Sequence, residues 1–123
     1  MIHPSLIAPQ HIAVIGASSN TQKPGGKALR NLIAHHFKGP VYAVNSGKLE
    51  VEGAIHLTST SELPHVDLAI MAITARACLE EIDTLLAKGV RAFIIYSAGF
   101  GEAGIQGKEL ERQLLQKLNE ANA

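Results

Sequence analysis

The feature that most constrains the fold is an apolar run that leads through a glycine-containing loop into an amphipathic stretch, over residues 12–32 (IAVIGASSNTQKPGGKALRNL). The run before Gly16 has no polar residue, which is typical of a strand buried on both faces, as in a parallel sheet. Pro24 suits the first turn of a helix, where a backbone N–H has no intrahelical partner. A strand, a glycine loop and a helix start in this order commonly bind phosphate, so the sequence predicts a phosphate-bearing ligand here.

Apolar runs and helical periodicity alternate along the rest of the chain. We predict strands over residues 11–15, 41–45, 67–73 and 91–96, with a short extended piece at 54–57 and a helical turn at 59–64. Helices are expected from residue 24, over 75–88 and over 108–119, the last with Leu110, Leu114, Leu115 and Leu118 facing inward. This alternation predicts an α/β fold, in which helices cover both faces of a mostly parallel sheet.

Size and charge limit the classes of protein to consider. A chain of 123 residues is typical of a single domain, here residues 1–123. Its 11 basic and 11 acidic residues balance, which argues against a nucleic-acid partner. No apolar run approaches the roughly 20 residues of a membrane-spanning helix, so no membrane partner is expected. The single cysteine excludes an internal disulfide and favours a cytoplasmic location.

The ligand is expected at one edge of the sheet. In open parallel sheets, ligands bind outside the carboxyl ends of the strands. Four segments follow predicted strands and should meet there: residues 16–23, 45–48, 74–76 and 97–102.

Two familiar phosphate-binding patterns are incomplete. A nucleoside triphosphate loop would need glycine where Thr21 stands and a hydroxyl where Ala28 stands. A dinucleotide loop would need a second glycine where Ser18 stands, and an acidic residue in place of Asn45. The two residues missing from the nucleoside triphosphate pattern argue against ATP binding at this loop. The two residues missing from the dinucleotide pattern do not exclude NAD as the ligand.

The loop nevertheless has its own means of holding phosphate. Gly16 permits a tight exit from the strand, Lys23 supplies a positive charge, and the helix start at Gly25 exposes backbone N–H groups. Short polar side chains are offered by Ser18, Ser19, Asn20 and Thr21.

Three segments together resemble a known family. They are residues 12–32, residues 39–45 (GPVYAVN) and residues 93–104 (FIIYSAGFGEAG). In this order they resemble the N-terminal CoA-binding domain of the ADP-forming acyl-CoA synthetases, which are relatives of the succinyl-CoA synthetase alpha subunit. The resemblance implies a Rossmann-like three-layer sandwich in which the loop at residues 16–23 holds the phosphates of CoA.

The resemblance, with the loop chemistry above, implies a set of CoA-binding residues. The set is Gly16, Ala17, Ser18, Ser19, Asn20, Thr21, Lys23, Gly25, Asn45, Lys48, Ile73, Thr74, Ala75, Ser97, Ala98 and Gly99. No metal ligand is expected in this chain, because its six histidines lack the spacing of a zinc site. No catalytic residue is expected either, because the family places its phosphorylated histidine and its ATP-grasp domain elsewhere.

Two departures from the family pattern affect ligand-side turns. The family reads VNP followed by lysine, whereas this chain reads Val44-Asn45-Ser46-Gly47-Lys48. The family reads VPA after the third predicted strand, whereas this chain has Thr74 in the place of the proline. Because proline restricts the backbone, we expect both turns to be looser here.

The resemblance implies a function and its partners. The chain is expected to be the CoA-binding domain of an ADP-forming acetyl-CoA or other acyl-CoA synthetase, holding the nucleotide end of CoA or acyl-CoA. The remaining domains or subunits of the synthetase are the expected partners, and the chain alone is expected not to be catalytic. The alternatives are a free-standing or acetyltransferase-associated CoA-binding module, and an NAD(P)-binding Rossmann domain.

Overall fold

A computed structural model of the chain describes residues 9–18, 20, 22–35, 37–47, 51–96 and 104–121, with the backbone only at 104–106. Within these residues there are five strands and three α-helices. The strands are β1 (Ile12–Ile15), β2 (Val41–Val44), β3 (Ile55–Leu57), β4 (Leu68–Met71) and β5 (Ala92–Ile95). The helices are α1 (Pro24–Ala34), α2 (Ala75–Ala87) and α3 (Gly104–Glu120), and a turn of 3₁₀ helix covers Thr60–Glu62.

The five strands form one parallel sheet in the order β3-β2-β1-β4-β5. The chain runs outward from β1 to β2 and β3, then returns to β4 on the other side of β1. The strand order therefore reverses between β1 and β4, and in open α/β sheets this reversal point is where ligands bind. The structure confirms the Rossmann-like α/β fold in a single small domain.

Helices cover both faces of the sheet. On one face, Leu29 of α1 packs with Ile12 and Val14 of β1 in a buried cluster. On the other face, Cys78, Ile82 and further residues of α2 pack against the sheet, joined by Leu114 of α3. Because strand residues alternate between the two faces, β1 contributes Val14 to the first cluster and Ile15 to the second.

The last helix differs from its expected form in two ways. It begins at Gly104 and not at residue 108. Gly107, which reads as a helix breaker in the sequence, is buried within the helix. Leu114 is 4% exposed, but Leu115 is 52% exposed, so the prediction that Leu115 faces inward is wrong. Helix α3 packs on α2, so only a narrow stripe of α3 is apolar and buried. This stripe includes Leu110 and Leu118 but not Leu115.

None of the helices in the described ranges is long and apolar enough to span a bilayer.

Candidate ligand site at the carboxyl ends of the strands

The carboxyl ends of all five strands lie level with one another. The register pairs Ile15 of β1 with Val44 of β2 and with Met71 of β4. It also pairs Val44 with Leu57, and Met71 with Ile95, at the outer strands. The residues that follow the strands therefore form one row along the edge of the sheet: Thr58, Asn45, Gly16, Ala72 and Tyr96.

Gly16 forms the tight exit from β1 that the sequence predicts. Its φ is +83°, in the left-handed region that favours glycine. A Cβ atom at Gly16 would lie 2.4 Å from the carbonyl oxygen of Ala72, so the exits of β1 and β4 touch through backbone. The N–H groups of Gly16 and Ala17 both donate to the carbonyl of Val44, at 3.0 and 3.1 Å. The loop thus begins anchored between β2 and β4.

The polar side chains of the loop form its turn. The Ser18 hydroxyl oxygen accepts the N–H of Asn20 at 3.0 Å, and Asn20 Oδ1 accepts the N–H of Gln22 at 2.9 Å. The Asn20 carbonyl accepts the N–H of Lys23 at 3.1 Å. Ser18 and Asn20 were predicted as ligand donors, and in this structure their side-chain oxygens accept hydrogen bonds from the main chain.

Helix α1 begins against this loop with no capping side chain. Lys23 is its N-cap residue in an extended conformation, Pro24 is in the first position, and no acidic residue lies in the first turn. Gly25 and Gly26 are buried: a Cβ at Gly25 would lie 2.1 Å from the carbonyl oxygen of Gly16, and one at Gly26 would lie 2.0 Å from that of Asn20. The positive end of the helix dipole therefore lies directly on the loop, an arrangement that favours an anion.

Asn45 connects β2 to the loop. Its Nδ2 donates to the Ala17 carbonyl at 2.6 Å, and its Oδ1 accepts the N–H of Gly47 at 2.7 Å. Its backbone N–H donates to the Leu57 carbonyl at 3.0 Å, and His56 Nε2 lies 3.1 Å from its backbone carbonyl oxygen.

The segment after β4 completes the described part of the site. The Ala72 N–H donates to the Ile15 carbonyl at 2.8 Å, and a Cβ at Gly16 would lie 2.8 Å from Cγ2 of Ile73. Thr74 is the N-cap of α2, and its hydroxyl oxygen accepts the N–H of Ala77 at 3.2 Å. Ala75 is buried at the start of that helix.

The structure shows what holds the described part of each of these two turns. The turn after β2 is closed by the hydrogen bond from Gly47 to Asn45, although no proline follows Asn45. The turn after β4 is fixed because Thr74 caps α2. In both turns a short polar side chain accepts a hydrogen bond from the backbone, and this bond constrains the turn without a proline.

The site also includes a groove that the sequence did not single out. It has a volume of about 360 Å³ and is lined by Pro24, Lys27, Ala28, Asn31 and Tyr96. The first four residues lie on one face of α1, because Lys27, Ala28 and Asn31 follow Pro24 by three, four and seven positions. This spacing is visible in the sequence. Tyr96 follows β5 and is 56% exposed, so it offers an aromatic surface beside the helix start. His56, beside Asn45, was likewise not identified.

Six predicted site residues lie outside the described residues: Ser19, Thr21, Lys48, Ser97, Ala98 and Gly99. The residues that the structure brings together are Gly16, Ala17, Ser18, Asn20, Lys23, Gly25, Asn45, Ile73, Thr74 and Ala75.

A second polar cluster lies at the opposite end of the sheet. The Asp67 carboxylate, just before β4, accepts the N–H groups of Gln10 and His11, each at 2.9 Å. His11 Nδ1 lies 3.5 Å and His65 Nε2 lies 3.3 Å from this carboxylate. Burial alone would raise the pKa of Asp67, but these hydrogen bonds hold it below the ordinary value of 3.8. In the described parts of the chain, no group of three His, Cys, Asp or Glu residues has the geometry to hold a metal ion.

The model of the CoA binding domain family matches residues 10–123. The chain belongs to this family. The match covers nearly the whole chain, so it includes the loop, helix α1 and the sheet edge described above.

Several curated relatives of this chain are ADP-forming acetate–CoA ligases. The alpha subunit of acetate–CoA ligase (ADP-forming) I from Pyrococcus furiosus is 36% identical over 117 residues, which are 91% of this chain and 25% of that subunit. Acetate–CoA ligase (ADP-forming) I from Archaeoglobus fulgidus is 39% identical over 112 residues, which are 90% of this chain and 16% of that protein. The chain thus spans a quarter or less of the length of these relatives.

A solved structure agrees with both the fold and the family. Acetyl-coenzyme A synthetase 1 of Ca. Korarchaeum cryptofilum superposes with a TM-score of 0.85 at 34% identity, over 96% of this chain and 26% of that chain. The chain is therefore a CoA-binding domain homologous to part of the ADP-forming acetyl-CoA synthetases. Neither the NAD(P)-binding alternative nor the acetyltransferase-associated or free-standing module is favoured.

Proposed function

We propose that this domain holds CoA by its phosphates, at the start of helix α1, as part of an ADP-forming acyl-CoA synthetase of the acetate type. The observation that carries the proposal is the start of α1, which has no capping side chain and lies directly on the Gly16 loop at the strand-order reversal. The N–H groups in the first turn of a helix lack intrahelical partners, and phosphate oxygens are suitable acceptors for them.

Lys23 adds charge to this site. It is exposed and is the N-cap residue of α1, so its ammonium group is accessible to a ligand at the helix start. A charge-assisted hydrogen bond contributes roughly 1.5–3 kcal/mol. Together with the first-turn N–H groups, it supports binding of the diphosphate of CoA. In the relatives' chemistry CoA is a substrate, and we assign it the same role here.

The proposed enzyme interconverts acyl-CoA, ADP and phosphate with the acid, CoA and ATP. This domain would hold the nucleotide end of CoA while other domains or subunits act on the thioester. The named relatives are acetate–CoA ligases, which supports acetate as the acid. A cytoplasmic location is supported by a composition with one cysteine and therefore no internal disulfide.

Titration calorimetry with CoA, dephospho-CoA, NAD and ATP tests the proposal on the 123-residue chain. CoA should bind with the highest affinity. Lys23→Ala should weaken CoA roughly tenfold or more, as expected for one charge-assisted hydrogen bond. Lys38→Ala is the matched control, because Lys38 is an exposed lysine that follows the other end of α1. NAD binding more tightly than CoA would refute the proposed ligand.

A further inference from the structure

Asn45 uses both ends of its carboxamide within the protein. Its amino group donates to the Ala17 carbonyl at 2.6 Å, and its oxygen accepts the Gly47 N–H at 2.7 Å. A carbonyl oxygen only accepts and a backbone N–H only donates, so these two partners determine which end of the amide is which. Asn45 is also half-buried, so its side chain is an internal connector.

Both peptide groups of Ala17 are hydrogen-bonded, one to the last residue of β2 and one to the residue that follows it. The Ala17 N–H donates to the Val44 carbonyl at 3.1 Å, and the Ala17 carbonyl accepts from Asn45. Ala17 is fully buried, and a Cβ at Gly25 would lie 3.3 Å from its Cα. The position of Ala17 therefore sets where the loop meets the start of α1.

We infer that Asn45 is a positioning residue, which fixes the Gly16–Ala17 segment beneath the phosphates and makes the site incompatible with an acidic residue at this position. The phosphate part of this inference rests on the proposed function. Dinucleotide sites place Asp or Glu after the second strand to hold the ribose hydroxyls. Here a carboxylate has no hydrogen to donate, and its oxygen would face the Ala17 carbonyl oxygen at the distance that Nδ2 now occupies. An acidic residue that would bind the ribose hydroxyls of NAD therefore does not fit at this position, whereas the carboxamide holds the loop in place.

The test compares Asn45→Asp, which keeps the side-chain shape, with Asn45→Ala and with the control Ser46→Ala. Ser46 is the exposed neighbour of Asn45. Two quantities are measured: CoA affinity by calorimetry, and backbone amide chemical shifts of Gly16, Ala17 and Gly25 without ligand. We expect Asn45→Asp to lose at least tenfold in CoA affinity, Asn45→Ala to lose less, and Ser46→Ala to stay within twofold. The ligand-free amide shifts should move in the two Asn45 variants and not in the control.

Each outcome bears on the inference. Asn45→Asp that binds CoA within twofold of the unaltered protein, or that gains NAD binding, overturns it. Lost affinity with unmoved amide shifts would mean that Asn45 contacts CoA directly, which also overturns it. If the unaltered protein does not bind CoA, the proposed function fails, but the amide shifts still decide whether Asn45 positions the loop.

A measurement on the unaltered protein covers the case in which the variants do not fold. One side-chain amide proton of Asn45 should exchange slowly with solvent before any ligand is added, because it is bonded to the Ala17 carbonyl. Free exchange of both protons would overturn the inference.

Discussion

Glycine at position 25 determines how closely α1 approaches the loop. A Cβ there would lie 2.1 Å from the Gly16 carbonyl oxygen, and this backbone atom cannot rotate away. We predict that Gly25→Ala lowers the free energy of unfolding by about 1–3 kcal/mol, the usual cost of overpacking, and also weakens CoA binding. Urea unfolding measures the first effect and calorimetry the second.

Gly47→Ala is the control for this substitution. Among the described residues, a Cβ at Gly47 would meet only Asn45 Oδ1, at an ordinary contact distance of 3.4 Å. Its stability should therefore stay within about 0.5 kcal/mol of the unaltered protein. Equal stability of the two variants would show that α1 can shift away from the loop without cost.

Asp67 makes stability depend on pH. Its carboxylate is favoured by the N–H groups of Gln10 and His11, so its pKa in the folded protein lies below 3.8 although burial opposes this. A lowered carboxyl pKa stabilises the fold above the unfolded-state pKa, and this contribution disappears as the pH falls through the folded-state pKa. We predict that Asp67→Asn costs about 1–3 kcal/mol at pH 7 and progressively less below pH ~4.

Unfolding curves at pH 7 and pH 3 test this prediction. Asp83→Asn is the control, because Asp83 is 71% exposed and pairs only with Lys117 at the surface among the described contacts. It should change stability little at either pH. A stability loss in Asp67→Asn that is the same at both pH values would contradict the assigned role of the carboxylate.

At the residue scale, the sequence predicted local conformation better than side-chain contacts. Gly16 and Pro24 have the roles that their chemistry indicates, since positive φ and the first helical turn are local requirements. The bond from Asn45 to Ala17 joins residues 28 positions apart, so no local pattern contains it. It becomes visible only when parallel pairing brings the ends of β1 and β2 together.

At the scale of whole elements, helix α3 shows how narrow an apolar stripe can be. Leu114 is 4% exposed and Leu115 is 52% exposed, although they are adjacent in the sequence. We predict that Leu114→Ala lowers the free energy of unfolding by about 2–4 kcal/mol, because it leaves a cavity where α3 packs on α2. Leu115→Ala should change it by less than about 0.5 kcal/mol. Thermal or urea unfolding of the two variants compares them directly, and equal losses would contradict this packing.

The strands were predicted in type and position, but each is one to three residues shorter than its predicted range. The run at residues 67–73, for example, contains β4 at Leu68–Met71. Asp67 and the residues after Met71 lie outside β4, although the Ala72 N–H still donates to the Ile15 carbonyl of β1. The start of α3 was missed because glycines at 104 and 107 have low helix propensity, and tertiary packing buries Gly107 nevertheless.

At the scale of the whole molecule, topology determined the site more than any motif did. The prediction that segments after the strands meet at one edge required only a parallel sheet, and the level strand ends confirm it for Gly16 and Asn45. The order of the strands could not be predicted from the sequence pattern. An apolar run indicates a buried strand but does not indicate which other strand pairs with it. The reversal between β1 and β4 places the start of α1, where we propose that the phosphates bind, at the centre of the edge.

The last prediction concerns what this domain does without the rest of an enzyme. The chain is expected to bind CoA but to form no ATP from acetyl-CoA, ADP, phosphate and Mg²⁺. Binding a substrate places it, but a rate increase requires groups that interact more strongly with the transition state. Of the described histidines, His11 and His65 lie by Asp67 at the opposite end of the sheet, and His56 lies at the Asn45 carbonyl.

The position of His56 makes it the residue with which to challenge this prediction. It contacts the Asn45 backbone carbonyl at the site, and among the described residues no hydrogen bond joins it to a carboxylate that would orient a phosphorylated imidazole. The assay follows ATP and free thiol over time, with the unaltered chain, His56→Ala and buffer side by side. The unaltered chain should match buffer. ATP formation above buffer that is lost in His56→Ala would place phosphoryl transfer within these residues, and the domain would then be catalytic as well as CoA-binding.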